Sequence, residues 1–277
     1  MATKVHGAAL KGIEGVIVEV QVGSLDGLPG LEISGLPNTC VREAKHRIRT
    51  AFRSAAYPWP SKRLVANLAP ADLPKSGTGY DLPLAIAVMV HAEQVPAAAC
   101  DACVFYGELS LDGELRPLPG AINAAIAARD AGFRRFYTSA QCAIEAAVVP
   151  SIEVFAIDGL VSLVQHLHGE LELAPESPPE LAPPRPQGVD LAQIRGQLRA
   201  RRALEVAAAG GHNILLMGPP GCGKTLLARA FADVLPPLSL AERIDVTRAH
   251  SVAGLGSPGA QLASARPFRA PHATSTY

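Results

Sequence analysis

Residues 218–225 read GPPGCGKT and sit between an apolar run, NILLM, and an amphipathic one, TLLARAFADVL. Gly218, Gly223, Lys224 and Thr225 fill the defining places of G-x-x-x-x-G-K-[ST], with Pro219, Pro220, Gly221 and Cys222 as spacers. These residue types suit the capture of a polyphosphate. Phosphate oxygens must approach main-chain N–H groups closely, and glycine leaves that approach open. The helix that follows aims its first N–H groups and its positive dipole end at the same anion. Lys224 adds a full charge toward the β- and γ-phosphates, and the Thr225 hydroxyl is placed to coordinate Mg²⁺. The implied ligands are ATP or ADP with Mg²⁺. Cys222 reads as a small spacer within the loop.

The loop requires a strand before it and a helix after it, and the pattern supplies both: a strand at 213–217 and a helix from Thr225. Upstream, residues 190–211 read as one amphipathic helix. Downstream, Ser239 followed by Glu242 is a capping box that opens another helix. Residues 170–188, ELELAPESPPELAPPRPQG, are too rich in proline and glutamate to build a core and read as a semi-extended tether. The expected organisation is therefore a domain over 1–169, a linker over 170–188 and a second domain over 189–277.

The first segment alternates strands and helices, which implies an α/β domain. Val16, Val18, Val20 and Val22 line one side of a strand, with GLEISG as its expected neighbour. Val41, Ala44, Ile48 and Phe52 recur at helical spacing, and Arg42, Lys45, Arg49 and Arg53 form a stripe on another face. That stripe reads as a solvated face steadied by a Glu43–Arg47 pair, with contact to a phosphodiester backbone as the alternative. RLVANLAP is a strand. DLPLAIAVMVHAE is a buried helix with Pro83 in its first turn. CVFYGELSLDGELRPL reads as a hairpin turning through a type I′ Asp112-Gly113, and an Ala-rich helix then ends at Gly132. RFYTS and EVFAI are strands, each followed by a short helix.

The formal net charge of zero hides an asymmetry: residues 1–169 carry −2, residues 170–187 carry −3 and residues 188–277 carry +5. The basic C-terminal part suits polyanions, which makes DNA a candidate partner. Five scattered cysteines argue against a secreted disulfide framework. Cys100 and Cys103 form a lone CxxC with no second pair to complete a zinc site, and read as small residues at a strand entry. His46, His212, His250 and His272 show no metal spacing. The sequence has neither a signal-peptide core nor an apolar run long enough to cross a bilayer, so a cytoplasmic location is expected.

The stretch GQLRARRALEVAAAGGHNILLMGPPGCGKTLLARAFADVLPPLSLAERIDVTRAHSVAGL strongly resembles the magnesium-chelatase-like AAA+ ATPases of the YifB/ComM competence-protein type. EISGLPNTCVREAKHRIRTAF, NLAPADLPKSGTGYDLPLAIA and RPFRAPH extend the resemblance over almost the whole chain. It implies an N-terminal Lon-protease-like domain, of the ribosomal protein S5 domain 2-like fold, followed by the first part of a P-loop AAA+ α/β module. It further implies ATP and Mg²⁺ as ligands, a homohexamer in the full-length form, and a DNA motor that promotes branch migration in natural transformation and recombination. By the same similarity Gly196-Gln197 lies near the adenine. A chelatase-type protein-remodelling ATPase is the alternative.

Two departures qualify the resemblance. GELSLDGELRPLPGAINAAIAARDAGF is similar to the part of Lon proteases that carries the catalytic lysine, yet Ile122, Asn123 and Ala124 occupy that region, and YDLPLAIA has no serine. A Lon-like peptidase needs a hydroxyl nucleophile with a lysine base and is therefore disfavoured. Lys75 and Ser76 are adjacent and expected to point apart. The second departure lies after Leu226, where the acids are Asp233, Glu242 and Asp245, all in helical contexts. No acidic strand end is evident to hold Mg²⁺ and position water. With ATSTY in place of the family's usual continuation after RPFRAPH, the chain reads as C-terminally truncated, binding ATP and hydrolysing it poorly.

Overall fold

A computed structural model describes residues 3–179, 189–255 and 262–271. They form two compact units, one built from the chain up to residue 180 together with 248–260, the other from 181–247 with 261–277.

The first unit is a mixed α/β layer structure. Its strands are β1 (Thr3–Lys11), β2 (Glu14–Leu25), β3 (Gly30–Ser34), β4 (Arg63–Ala69), β5 (Cys103–Phe105), β6 (Glu108–Leu109), β7 (Leu115–Arg116), β8 (Arg135–Ser139) and β9 (Glu153–Ile157). Its helices are α1 (Thr39–Ser54), α2 (Asp81–His91), α3 (Ala121–Asp130), α4 (Ala140–Ala146) and α5 (Leu160–His168). Seven strands make one sheet in the order β3-β4-β2-β1-β5-β8-β9. Four of its pairings are parallel; β1–β2 and β2–β4 are antiparallel.

Alternation in β2 buries Val18, Val20 and Val22, as expected, against a core shared with α1, α2 and α5. The other face of the β1–β2 hairpin meets α3, and Gly15 is what allows it: a Cβ there would lie 2.3 Å from the Asn123 carbonyl. Helix α1 follows its apolar period, with Val41, Ala44, Ile48, Ala51 and Phe52 fully buried, and Asn38 caps its N-terminus by accepting from Val41 N–H at 3.0 Å. Each large side chain so buried contributes about 1.5–3 kcal/mol.

Several expectations are corrected. β1 carries no clear sequence signal yet pairs β2 along its whole length, because its buried residues Val5, Ala8 and Ala9 are mostly small and interrupted by Gly7. β3 is not the neighbour of β2: it runs parallel to β4, at the sheet edge. In the expected hairpin, β5 joins the main sheet and only β6 and β7 pair with each other. Its turn is not type I′. Gly113 alone has positive φ (85°), Gly113 N–H donates to Ser110 O, and Ser110 N–H to Glu114 O, the pattern of a type I turn closed by a glycine bulge. Part of the Pro/Glu-rich segment packs on this unit, since Glu176 N–H donates to Val154 O at 2.7 Å and Leu173 touches the core. Residues 180–188 lie outside the described residues.

In the second unit a single 3₁₀ turn, Leu191–Gln193, precedes α6 (Leu198–Gly210), and α7 spans Lys224–Val234. The expected single helix over 190–211 is thus broken, with positive φ at Gly196 (70°) and Gln197 (49°). Helix α8 (Leu240–Val252), whose residues from 248 onward belong to the first unit, opens on the expected box, Ser239 N–H donating to Glu242 Oε2 at 2.8 Å and Glu242 N–H to Ser239 Oγ at 3.3 Å. Residues 213–217 form neither helix nor strand and have no ladder partner among the described residues. Ile214 and Leu216 pack inward, while Leu215 and Met217 are 80% and 82% exposed. The burial alternation of a strand is present, without a hydrogen-bonded neighbour among the described residues.

Candidate nucleotide-binding site

The phosphate loop is held by a small core of Ile194, Leu204, Leu227 and Ala230, which joins α6 to α7 beneath it. Ile214 and Leu216 pack on this core and feed the chain into Gly218. Gly221 and Gly223 adopt φ of 80° and 90°, conformations that side chains resist, and a Cβ on either would meet open space. Both facts fit a concavity of amides open to an anion. Gly223 caps α7, so Lys224 and Thr225 are the first two residues of that helix and its free N–H groups face the loop.

Lys224 crosses the loop. Its Nζ donates to the carbonyls of Gly218 and Pro219, both at 2.8 Å, and lies 3.7 Å from Cys222 Sγ. The ammonium is therefore held over the turn by weak carbonyl acceptors and, among the described residues, by no carboxylate. An incoming phosphate would outbid neutral carbonyls for it, because a charge-assisted bond is about twice as strong as a neutral one. Thr225 is exposed on the first turn of α7. Of the residues expected to act together, Gly218 through Thr225 form one continuous turn. Gln197 sits against it, its Nε2 donating to the Cys222 carbonyl at 3.4 Å. Sequence reading gave Gln197 a role at the base and did not foresee this contact, which depends on the break before α6.

The residues present fit Mg²⁺ and a nucleotide polyphosphate. The loop amides and Lys224 would hold the phosphates, and Thr225 Oγ1 would take a metal position. When bound, the metal supplies charge neutralisation at the phosphoryl oxygens. Two cavities, of about 570 Å³ and 530 Å³, are lined by residues of the first unit and include none of the loop. Among the described residues, no cluster of His, Cys, Asp and Glu could hold a metal ion, and no helix is long and apolar enough to cross a membrane.

Comparison with known proteins decides the family. The profile "Subunit ChlI of Mg-chelatase" matches residues 18–141, and "Magnesium chelatase, subunit ChlI" matches residues 190–277. YifB of Salmonella typhimurium is 40% identical over 97% of this chain and 52% of its own length. The competence protein ComM of Haemophilus influenzae is 39% identical over 97% of this chain and 53% of its own. The chain belongs to the magnesium-chelatase-like YifB/ComM family. It spans about half the length of these curated relatives. A 44-residue stretch is also 48% identical to an archaeal Lon protease of Methanothermobacter thermautotrophicus, covering 16% of this chain and 7% of that protein.

In this YifB/ComM-type chain Asn123 and Asp81 serve as ties within the fold. Asn123 is buried in α3 and its Nδ2 donates to the Ile13 carbonyl, tying α3 to the β1–β2 hairpin. Asp81, at the start of α2, is buried and receives a two-pronged bond from Arg47, Nε to Oδ2 at 2.7 Å and Nη2 to Oδ1 at 2.9 Å. This overturns the Glu43–Arg47 pair: Arg47 turns inward, because a buried carboxylate competes better for it than a solvated one. Burial pushes the Asp81 carboxyl up from its ordinary value, and the Arg47 guanidinium opposes that push. Lys75 is buried, its Nζ donating to the Pro70 carbonyl, and burial lowers its affinity for a proton; neighbouring Ser76 is exposed. The two do not form a dyad. Cys100 and Cys103 are buried at the entry to β5, as the plain reading of the CxxC expects.

Proposed function

We propose that this chain is the nucleotide-binding portion of an ATP-driven AAA+ subunit of the magnesium-chelatase-like type. In this reading the first unit is a Lon-like, ribosomal protein S5 domain 2-like domain without peptidase chemistry, and residues 189–277 begin the motor domain. The whole protein is proposed to be a homohexamer in the cytoplasm that drives branch migration of DNA during natural transformation and recombination. ComM bears the name of a competence protein, and the basic balance of residues 188–277 suits a polyanion.

The observation that carries the nucleotide reading is the turn from Gly218 to Thr225. Gly221 and Gly223 take positive φ with open space where a Cβ would stand, and Lys224 Nζ donates to the neutral carbonyls of Gly218 and Pro219. Among the described residues the second unit has no hydrogen-bonded strand, hence none closing in an acid to position water, so weak turnover is proposed for this chain. Isothermal titration tests the core claim: MgADP binds the chain, and Lys224→Ala weakens binding by about tenfold or more, the loss of one charge-assisted phosphate contact. Equal affinity in the variant would remove the reading. A chelatase-type remodelling ATPase is the second reading, favoured by the ChlI description of both matching profiles. DNA-stimulated ATP turnover in a longer form selects the first over the second.

A further inference from the structure

A groove of about 530 Å³ runs between the outer side of α1 and the β3–β4 edge of the sheet, lined by Lys45, His46, Arg49, Trp59, Arg63 and Glu32 among others. We propose that this groove binds single-stranded nucleic acid. It would give the DNA-directed reading above a surface on the first unit, and rests on that reading only for the nature of the polymer.

Three observations carry it. The first is charge without partners. Arg63 is engaged by Glu32, Nη2 to Oε1 at 2.6 Å. Arg42, Lys45, Arg49 and Arg53 have no carboxylate within ion-pair reach among the described residues, and all are exposed. Arg47, on another side of the helix, is drawn inward to Asp81 and takes no part in the stripe. Glu43, the acid on the outer side of α1, lies about 100° round the helix from Arg42, off the stripe.

The second is geometry. At 3.6 residues per turn the four cations fall within an arc of about 80° and extend over about 16 Å. A linear array of that kind follows a polymer of phosphates and exceeds what a single small anion needs. The third is the aromatic wall. Trp59 lines the groove, half-buried, its ring 5.1 Å from that of Phe52 at 68°. A cationic track with an aromatic platform beside it is how proteins hold single strands without reading their sequence. An acidic peptide would satisfy the charges and leave Trp59 without a role.

Trp59 is the sole tryptophan of the chain and so reports on this groove directly. The test titrates the 277-residue chain with fluorescein-labelled 12-mers of oligodeoxythymidylate and oligouridylate, following anisotropy and Trp59 emission over a series of salt concentrations. Both oligomers are expected to bind at low salt and to quench Trp59, with a slope of log affinity against log salt of about −3, as for some four contacts to a single strand. Lys45→Glu with Arg49→Glu should weaken binding at least about tenfold and flatten the slope by about 1.4, with an unchanged thermal melt. Lys224→Ala should bind the oligomers as the parent does. Absence of binding, undiminished binding by the charge-reversed variant, tighter binding of a duplex without quenching, or equal quenching by polyglutamate would each overturn the groove. If oligomer binding fails while MgADP still binds in a Lys224-dependent way, the groove is wrong and the nucleotide reading stands. A longer form that keeps DNA-stimulated turnover despite the charge reversal would mark a different nucleic-acid site.

Discussion

Cys222 is the one thiol within the phosphate loop, and its surroundings make it a reporter. Its Sγ lies 3.7 Å from Lys224 Nζ, and it is half-buried, as is Cys40. The other three cysteines are buried. Burial pushes the Cys100 thiol up to about 12 and that of Cys103 up to about 11, and raises Cys142 as well. Thiolate is the reactive form, so near pH 8 these three should be silent in the folded chain. Treatment with a thiol reagent, read by peptide mass spectrometry, should label Cys40 and Cys222 first and the remaining three only after denaturation. MgADP at ten times its dissociation constant leaves about a tenth of the loops free, so labelling of Cys222 should slow about tenfold while that of Cys40 is unchanged. Equal slowing of both, or of neither, would mean that the nucleotide does not sit over Gly218–Thr225.

Helices α1 and α2 are tied by one ionic contact inside the first unit. Asp81 accepts both bonds of the Arg47 fork and a third from Leu109 N–H at 3.3 Å, and Arg47 Nη2 also donates to the Cys40 carbonyl at 3.2 Å. Removing one partner strands a buried charge. Arg47→Ala is expected to lower the stability of this unit by about 3–5 kcal/mol, Arg47→Met with Asp81→Leu to recover most of that loss, and Glu43→Ala to change stability by less than about 0.5 kcal/mol. Urea unfolding followed through Trp59 makes the comparison, and a Glu43→Ala effect as large as that of Arg47→Ala would restore the local pair. The same contact shows where sequence ends as a guide. The apolar face of α1 is legible because helical periodicity is local, as is the capping box at Ser239; the glycine-rich turn at 218–225, proposed to hold phosphate, is likewise spelled in consecutive residues. Arg47 was misassigned because its partner is 34 positions away, while Glu43 stood at the spacing a helix favours. β1 was missed because glycine and alanine dilute its alternation, and β3 was misplaced because strand order is decided by packing between distant segments.

At the scale of the molecule the two units differ sharply in what holds them. The first has a continuous core that runs from Val5 to Leu167 through β1, β2, β4, β5, α1, α2 and α5. The second has, among the described residues, a small cluster of Ile194, Leu204, Leu227 and Ala230, with large apolar side chains such as Leu198, Leu215 and Met217 left 75%, 80% and 82% exposed. Stability grows with the apolar area removed from water, so the units should not share one transition. Hydrogen exchange should show early opening of α6, the loop and α7, at denaturant or temperature where β1, β2 and β4 remain protected and Trp59 emission is native. On the proposed reading MgADP binds the folded loop and not the unfolded chain, so at one hundred times its dissociation constant it should stabilise the second unit by about 2.7 kcal/mol. The Trp59-reported transition should stay in place, because the loop belongs to the second unit while Trp59 packs on the core of the first. A single coincident transition that shifts as a whole with nucleotide would show instead that the phosphate loop draws its stability from the first core.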